Sequence, residues 1–310
     1  MWTVPHARSI ITIADAEARR GAAAALAAYL VWGFFPLLFD QLAGVNPLLV
    51  VAHRIVWSLL LLTAIMLVTR RWSEVTSAVR DGTTMRTILI SAPLLTANWV
   101  VYVWAVENGK VLETSLGYFL TPLASVALGM AFFGERQRPI QAIAIGIAVI
   151  AMIVQAIGVA GVPWVAITLA ISFSIYGYFH KTLTVSAAAG LLLETAVLVP
   201  VALGMIVYSL ITDGAGPHAD PRLMILLVLT GPATSLSLLL FGYSVQRLRL
   251  TTTGMFQYIS PSIHFVLALL VFNEALNPTR LVSFALIWLS LIVFSTDMLR
   301  NARPSPAATP

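Results

Sequence analysis

Two side chains carry a charge inside otherwise apolar stretches: Arg54 in AHRIVWSLLLL and Glu194 in LLLETAVLVP. In a bilayer such a charge is costly, and it needs a partner, a wet cavity or a route to the interface. The Arg54 guanidinium can grip a carboxylate with two parallel N–H groups. Lying near the start of its segment, it can equally snorkel to the surface. Glu194 stands at nearly the equivalent place in a later segment, where a buried carboxyl could exchange a proton or accept structural hydrogen bonds between helices. The two segments enter from opposite sides, so no direct Arg54–Glu194 pair is expected. His53, His180 and His264 are too dispersed for a metal site, and a lone helical His is most often packed and hydrogen-bonded. His264 joins Arg54 and Glu194 as a charge or proton-coupling candidate.

A second set is polar but uncharged. Tyr118, Thr121, Pro122 and Ser125 share one helical face, and Gln257, Ser260, Pro261 and His264 share another. On the preceding helices Asn98, Tyr102 and Ala105 correspond to Ser237, Phe241 and Ser244. Pro122 and Pro261 free the carbonyls of Tyr118 and Gln257, which then need partners. Trp32-Gly33 and Tyr176-Gly177 form another matched pair, in which an aromatic ring beside glycine can line a cavity or simply pack. The candidates for contact with a small-molecule substrate are Trp32, Asn98, Tyr102, Tyr118, Tyr176, Ser237, Phe241, Gln257 and Ser260. Their plainer role would be to join transmembrane helices by hydrogen bonds and close packing.

The elements that must hold these residues follow from composition. Of 310 residues, 59% are hydrophobic and 10% charged, against roughly 25% charged in soluble domains. Too few charges remain to clothe a water-facing surface, so the chain is expected to be an all-α integral membrane protein. Apolar stretches of spanning length fall at about 21–39, 48–69, 87–106, 112–133, 139–157, 163–180, 188–211, 223–244, 251–273 and 279–298, which makes ten transmembrane helices. Alternating the loops places fourteen Lys and Arg on one face and three on the other, with Arg54 inside a helix. By the positive-inside rule both termini are then cytoplasmic. Residues 1–20 are expected as a cytoplasmic tail without a cleavage site, and 299–310 as a disordered cytoplasmic tail. There is no cysteine, which excludes disulfides and thiolate chemistry.

A shift of 139 residues lays TPLASVALGMAFFGE on SPSIHFVLALLVFNE. It aligns 92–155 with 231–294 without a gap, matching Pro93 with Pro232, Pro122 with Pro261, Glu135 with Glu274 and Pro139 with Pro278. Two five-helix repeats, 21–157 and 163–298, are expected, and an odd helix number inverts the second relative to the first. Inverted repeats are an arrangement seen in secondary transporters, with the substrate site near the midplane. Glu135 and Glu274 fall at helix ends, where they are expected to fix tight inter-helix turns.

The stretches AYLVWGFFPLLF, AHRIVWSLLLL, NWVVYVWAVENGKVLETSLGYFLTPL, LLLETAVLVP and FQYISPSIHFVLALLVFNE resemble the RarD group of the EamA family, within the drug/metabolite transporter superfamily. The resemblance runs from about Gly21 to Asp297 and is most specific from Asn98 to Pro122. It implies a ten-helix exporter of the bacterial inner membrane, with a central cavity between two EamA-type halves. RarD-like proteins are associated with chloramphenicol sensitivity, and related exporters move amino acids and other metabolites. Thr121 departs from the RarD pattern, which has Asn before the proline.

The leading functional reading is a secondary transporter that exports a small amphipathic metabolite or drug by alternating access, with protons as the economical coupling ion. No Walker motif is present, so ATP is not a direct driver within this chain, and neither cofactor nor metal is implied. The basic residues sit in short clusters between apolar runs and read as topology and lipid contact, with no role for nucleic acid. A membrane-embedded lipid-processing enzyme or a scaffold is the alternative. The enzyme reading lacks HExxH, GxSxG and any close cluster of acids and histidines.

Overall fold

The computed structural model describes residues 6–108, 110–157, 161–212, 214–273 and 278–301. Among these all regular structure is helical. In chain order the helices are α1 (His6–Gly33), α2 (Phe35–Asp40), α3 (Pro47–Val68), α4 (Trp72–Arg80), α5 (Gly82–Glu107), α6 (Val111–Phe133) and α7 (Pro139–Ala156). There follow α8 (Trp164–Thr182), α9 (Ala187–Thr212), α10 (Pro221–Arg247), α11 (Leu250–Gln257), α12 (Ile259–Leu270) and α13 (Pro278–Asn301). Every apolar stretch read as a span is occupied by one helix or by two in series. Eight spans among the described residues are long and apolar enough to cross a membrane, counting α1–α2 and α11–α12 as one each. The long helices α5 and α8 fall outside that set and pack into the same bundle.

Side chains sort in the reverse of a water-soluble domain. Ile143, Ile153, Ile211, Ile225, Leu67 and Ile292 are exposed, whereas Ser91, His180, Glu194, Ser235, Thr253 and Ser283 are fully buried. An apolar exterior around a hydrogen-bonded interior is what a lipid solvent selects, and with its several apolar helices the chain is a multi-pass membrane protein.

The helix pairings come in matched sets. α1 packs on α10 as α8 packs on α5, and α3 packs on α10 as α9 packs on α5. α6 packs on α8 as α11 and α12 pack on α1, while α3–α9, α6–α11 and α7–α13 are paired in their own right. Val51, Ala52 and Ile55 near the start of α3 cluster with Leu198 and Ala202 in the middle of α9, and Leu62 and Met66 farther along α3 share a core with Leu191 and Leu192 early in α9. The two helices are therefore antiparallel.

Several sequence expectations change. Residues 6–20, read as a tail, continue α1 as helix, and Glu17 ties it to α10 through Arg247 at 2.7 Å. The loop after α3 contains the short helix α4, with Val75 and Ala78 buried against the bundle. Glu135 reaches across the bundle instead of closing its own turn: its carboxylate accepts the N–H groups of Leu250 at 2.6 Å and Thr251 at 2.9 Å. These are orphan donors at the start of α11, so Glu135 acts as a cap supplied from another helix. Its counterpart Glu274 lies outside the described residues, as do residues 1–5 and 302–310 of the expected tails.

Pro122 and Pro261 also differ in effect. α6 runs through Pro122 unbroken, while the helix containing Pro261 is interrupted at Tyr258, between α11 and α12. A second interruption, at Phe34 between α1 and α2, stands two residues ahead of Pro36.

Candidate functional site

Both interruptions border one cavity of about 300 Å³. α1 and α2 contribute Tyr29, Trp32, Phe35 and Phe39; α5 contributes Asn98, Trp99 and Tyr102; α6 contributes Tyr118 and Thr121. Phe173 of α8 and Leu238 of α10 form further wall, and Gln257, Ser260, Pro261 and His264 close it from α11 and α12. Tyr102 and Tyr118 keep 36% and 38% exposure although they lie within the bundle, so the space is reachable.

Proline chemistry accounts for part of the wall. Pro36 has no N–H, which frees the carbonyl of Trp32 four residues earlier, and His264 Nε2 donates to that carbonyl at 3.1 Å. One residue class thus satisfies a need created by another, and it fixes the His264 tautomer with its proton on Nε2. Ser260 Oγ likewise donates to the Tyr29 carbonyl at 2.7 Å, binding α12 to α1. Gly33 allows this close approach, because a Cβ there would stand 2.5 Å from Ile263 Cδ1. On the opposite wall Asn98 Nδ2 donates to the Leu169 carbonyl and to Ser172 Oγ, each at 2.9 Å. The Tyr29 hydroxyl and Gln257 Oε1 are sealed behind this wall, with no hydrogen-bond partner among the described residues.

Arg54 enters this cavity from α3. Its Nε donates to Thr234 Oγ1 at 2.9 Å, and its guanidinium lies 4.7 Å from the Trp99 ring centroid, 5.5 Å from Phe39 and 5.9 Å from Phe35. The sequence left snorkelling and ligand contact open; the guanidinium is held inside the bundle by a hydroxyl and three rings. The next residue back, His53, faces elsewhere. It accepts from Trp57 Nε1 at 3.2 Å through Nδ1, so its Nε2 carries the proton and points at His218 Nε2, 3.1 Å away.

Six of the nine uncharged candidates line the cavity: Trp32, Asn98, Tyr102, Tyr118, Gln257 and Ser260. Tyr176, Ser237 and Phe241 do not; each is at most 1% exposed. Phe241 stacks on Tyr176 with ring centroids 6.1 Å apart and meets Trp32 at 5.8 Å, forming an aromatic layer behind the wall. Beyond this layer sits Glu194. It accepts from the Ser91 hydroxyl, from the Tyr176 hydroxyl at 3.1 Å, and from His180 Nε2, which lies 3.1 Å from both carboxylate oxygens. Glu194 and His180 are each fully buried, and Arg54 pairs with neither. Ala105, on the same expected stripe as Asn98 and Tyr102, turns away into a small core with Val165 and Leu169.

Sequence reasoning missed Tyr29, Phe35, Phe39, Trp99, Phe173 and Thr234. The run WGFFPLLF carried the signal for two of them, Phe35 and Phe39: a proline with aromatic neighbours inside an apolar segment marks a helix break that turns rings inward.

The geometry has known counterparts. The model of the EamA-like transporter family matches residues 19–156. A transporter of Vibrio cholerae described as uncharacterized is 39% identical over 92% of this chain and 94% of its own. Protein RarD of Escherichia coli K12 is 37% identical over 93% of this chain and 97% of its own. The chloramphenicol-sensitive protein RarD of Pseudomonas aeruginosa is 32% identical, covering 92% and 96%. A solved crystal structure superposes with a TM-score of 0.68 over 92% of this chain and 99% of that one; at 19% identity it speaks for the fold alone. Full-length similarity to several RarD proteins, joined to the helical bundle and the family match, makes this chain a member of the EamA-like transporter family, in its RarD-like group.

Proposed function

We propose that the protein is an inner-membrane secondary transporter that exports a small amphipathic molecule by alternating access. The ten long helical segments act as two inverted five-helix repeats, 21–157 and 163–298, with both termini cytoplasmic. The matched helix pairings and the antiparallel α3–α9 contact support the inversion. The basic side chains of the crowded face are knit together at one end, through Arg247–Glu17, Arg249 to the Arg136 carbonyl at 2.6 Å, and Lys181 to the Val245 carbonyl at 3.1 Å. That end is cytoplasmic by the positive-inside rule. The cavity lies toward the other end, so the conformation described faces outward.

The observation that carries this reading is the cavity itself. Both repeats build it, its walls are aromatic with a few aimed polar groups, and its size is at the low end of small-molecule sites, roughly 300–1,000 Å³. A scaffold would have no need of such a space. Protons are the proposed coupling ion, and Glu194, buried among the Ser91 and Tyr176 hydroxyls and the His180 ring, the carboxyl that carries them.

Accumulation of labelled chloramphenicol and labelled phenylalanine in expressing cells tests the reading, with and without a protonophore. Expression should lower accumulation of at least one compound, the effect should vanish with the gradient, and the Tyr102→Ala, Gln257→Ala double variant should lose it. Unchanged accumulation across a wider panel of amphipathic metabolites would remove export as the function.

A further inference from the structure

We propose that the cavity selects molecules bearing a carboxylate, and that Arg54, oriented by Thr234, is the group that reads it. This deepens the transport reading above and rests on the cavity being the substrate site.

Arg54 is the one formally charged side chain among the described residues lining the cavity. Among the described residues no carboxylate forms an ion pair with it. An unpaired guanidinium away from bulk water is costly, and such charges persist where a ligand or wet space completes them. Its immediate surroundings compensate in part. The faces of Trp99, Phe39 and Phe35 offer negative quadrupole to the cation, yet rings do not accept the in-plane N–H groups as oxygen does. The Thr234 hydroxyl takes Nε alone. Among the described residues no acceptor takes the two Nη groups, which form an open fork, the geometry that matches both oxygens of a carboxylate.

The remainder of the cavity describes the remainder of the ligand. Rings on several sides call for a flat apolar body. Cationic amphiphiles would meet Arg54 with like charge and no acid to offset it. The class is thus an aromatic monocarboxylate.

The test compares 3-phenyllactate with 3-phenyllactamide, which share ring and hydroxyl and differ in the charged group. Equilibrium binding of labelled 3-phenyllactate to the purified full-length protein in detergent, competed by each compound, gives the preference directly. Wild type should favour the acid by roughly ten- to a hundredfold, the range of a charge-assisted hydrogen-bonded pair. Arg54→Gln should bind acid and amide alike. Arg54→Lys, which keeps the charge and guards against a folding defect, should retain a reduced preference because it lacks the fork. Thr234→Val should lower acid affinity several-fold while leaving amide affinity in place, as expected of a positioning residue. Equal wild-type affinity for acid and amide overturns the proposal, as does acid preference surviving in Arg54→Gln. Failure to bind either compound by protein that still exports another substrate also overturns it, leaving transport standing. Acid-selective binding by protein that exports nothing would instead sink the transport reading and leave the carboxylate site.

Discussion

On the cavity side, Arg54, Asn98, Tyr102 and Trp32 surround open space; on the other side their counterparts Glu194, Ser237, Phe241 and Tyr176 are packed to 1% exposure or less. The positions are the ones matched in the proposed repeat, where Arg54 is set against Glu194, Asn98 against Ser237, Tyr102 against Phe241 and Trp32 against Tyr176. The difference lies in what each side is given to bond with. Glu194 finds three donors on α5 and α8, so its helices are drawn together. Arg54 finds one hydroxyl and aromatic faces, which hold it without drawing a second charged group across the gap. Matching positions thus make a closed contact on one side and a vacant one on the other, as alternating access proposed above requires.

The sharpest way to break this contrast is Glu194→Ala. It leaves the Ser91, Tyr176 and His180 donors buried without their acceptor, at a cost of about 1–3 kcal/mol for each group so stranded. Thermal unfolding in detergent should shift down by many degrees, and Glu194→Gln should lose less. Because the chain has no cysteine, a single Ser237→Cys reports the packed side cleanly. Maleimide should leave it unlabelled in an otherwise wild-type background and label it when Glu194→Ala is added, whereas Tyr102→Cys should label in both. Resistance of Ser237→Cys in the Glu194→Ala background would show that the network does not hold that side shut.

A smaller effect is expected from glycine. In Gly242→Ala the new Cβ would stand 2.9 Å from Ala187 Cβ and 3.1 Å from His180 Nδ1, an overpacking cost of about 1–3 kcal/mol. It should raise Ser237→Cys labelling. Gly33→Ala crowds α12 on the cavity side instead, and should lower stability without exposing Ser237→Cys. Equal labelling in the two would erase the distinction between the sides.

The smallest effect concerns the outer edge of the closed end. Burial pushes the Glu74 carboxyl up, but hydrogen bonds from Ser186 at 2.6 Å and Arg71 at 2.6 Å outweigh it and hold the group below the ordinary carboxylate range. A depressed folded value means the stabilisation is present above the unfolded value and is lost as pH falls through the folded one. Glu74→Gln should therefore cost at most about 1 kcal/mol at neutral pH, and the difference from wild type should vanish at acid pH. A deficit that persists in acid would trace to packing instead of charge.

Much of this contrast was legible in the sequence in outline and little of it in detail. Helical periodicity put Asn98, Tyr102, Tyr118, Gln257 and Ser260 on inward faces, because polar residues in apolar helices have few other places to go. The same periodicity put Ser237, Phe241 and Tyr176 inward as well, correctly as to face. Which inward face opens is a property of tertiary packing, and two similar stripes carry no mark of it. His180 and Glu194 sit on successive helices, so their meeting depends on how α8 and α9 cross. The His264–Trp32 contact depended on knowing which helix lies beside the carbonyl that Pro36 sets free.

The interruptions at Phe34 and Tyr258 fall on one wall of the cavity, in helices that touch one another, whereas α6 and α8, which line it opposite, run whole. A rod with a gap in its hydrogen-bond ladder flexes more cheaply than an intact one. One wall is therefore jointed and the other stiff. If the halves exchange roles, the outward and inward strokes are mechanically unlike events, and the dwell time on each side of the membrane is set by a separate barrier.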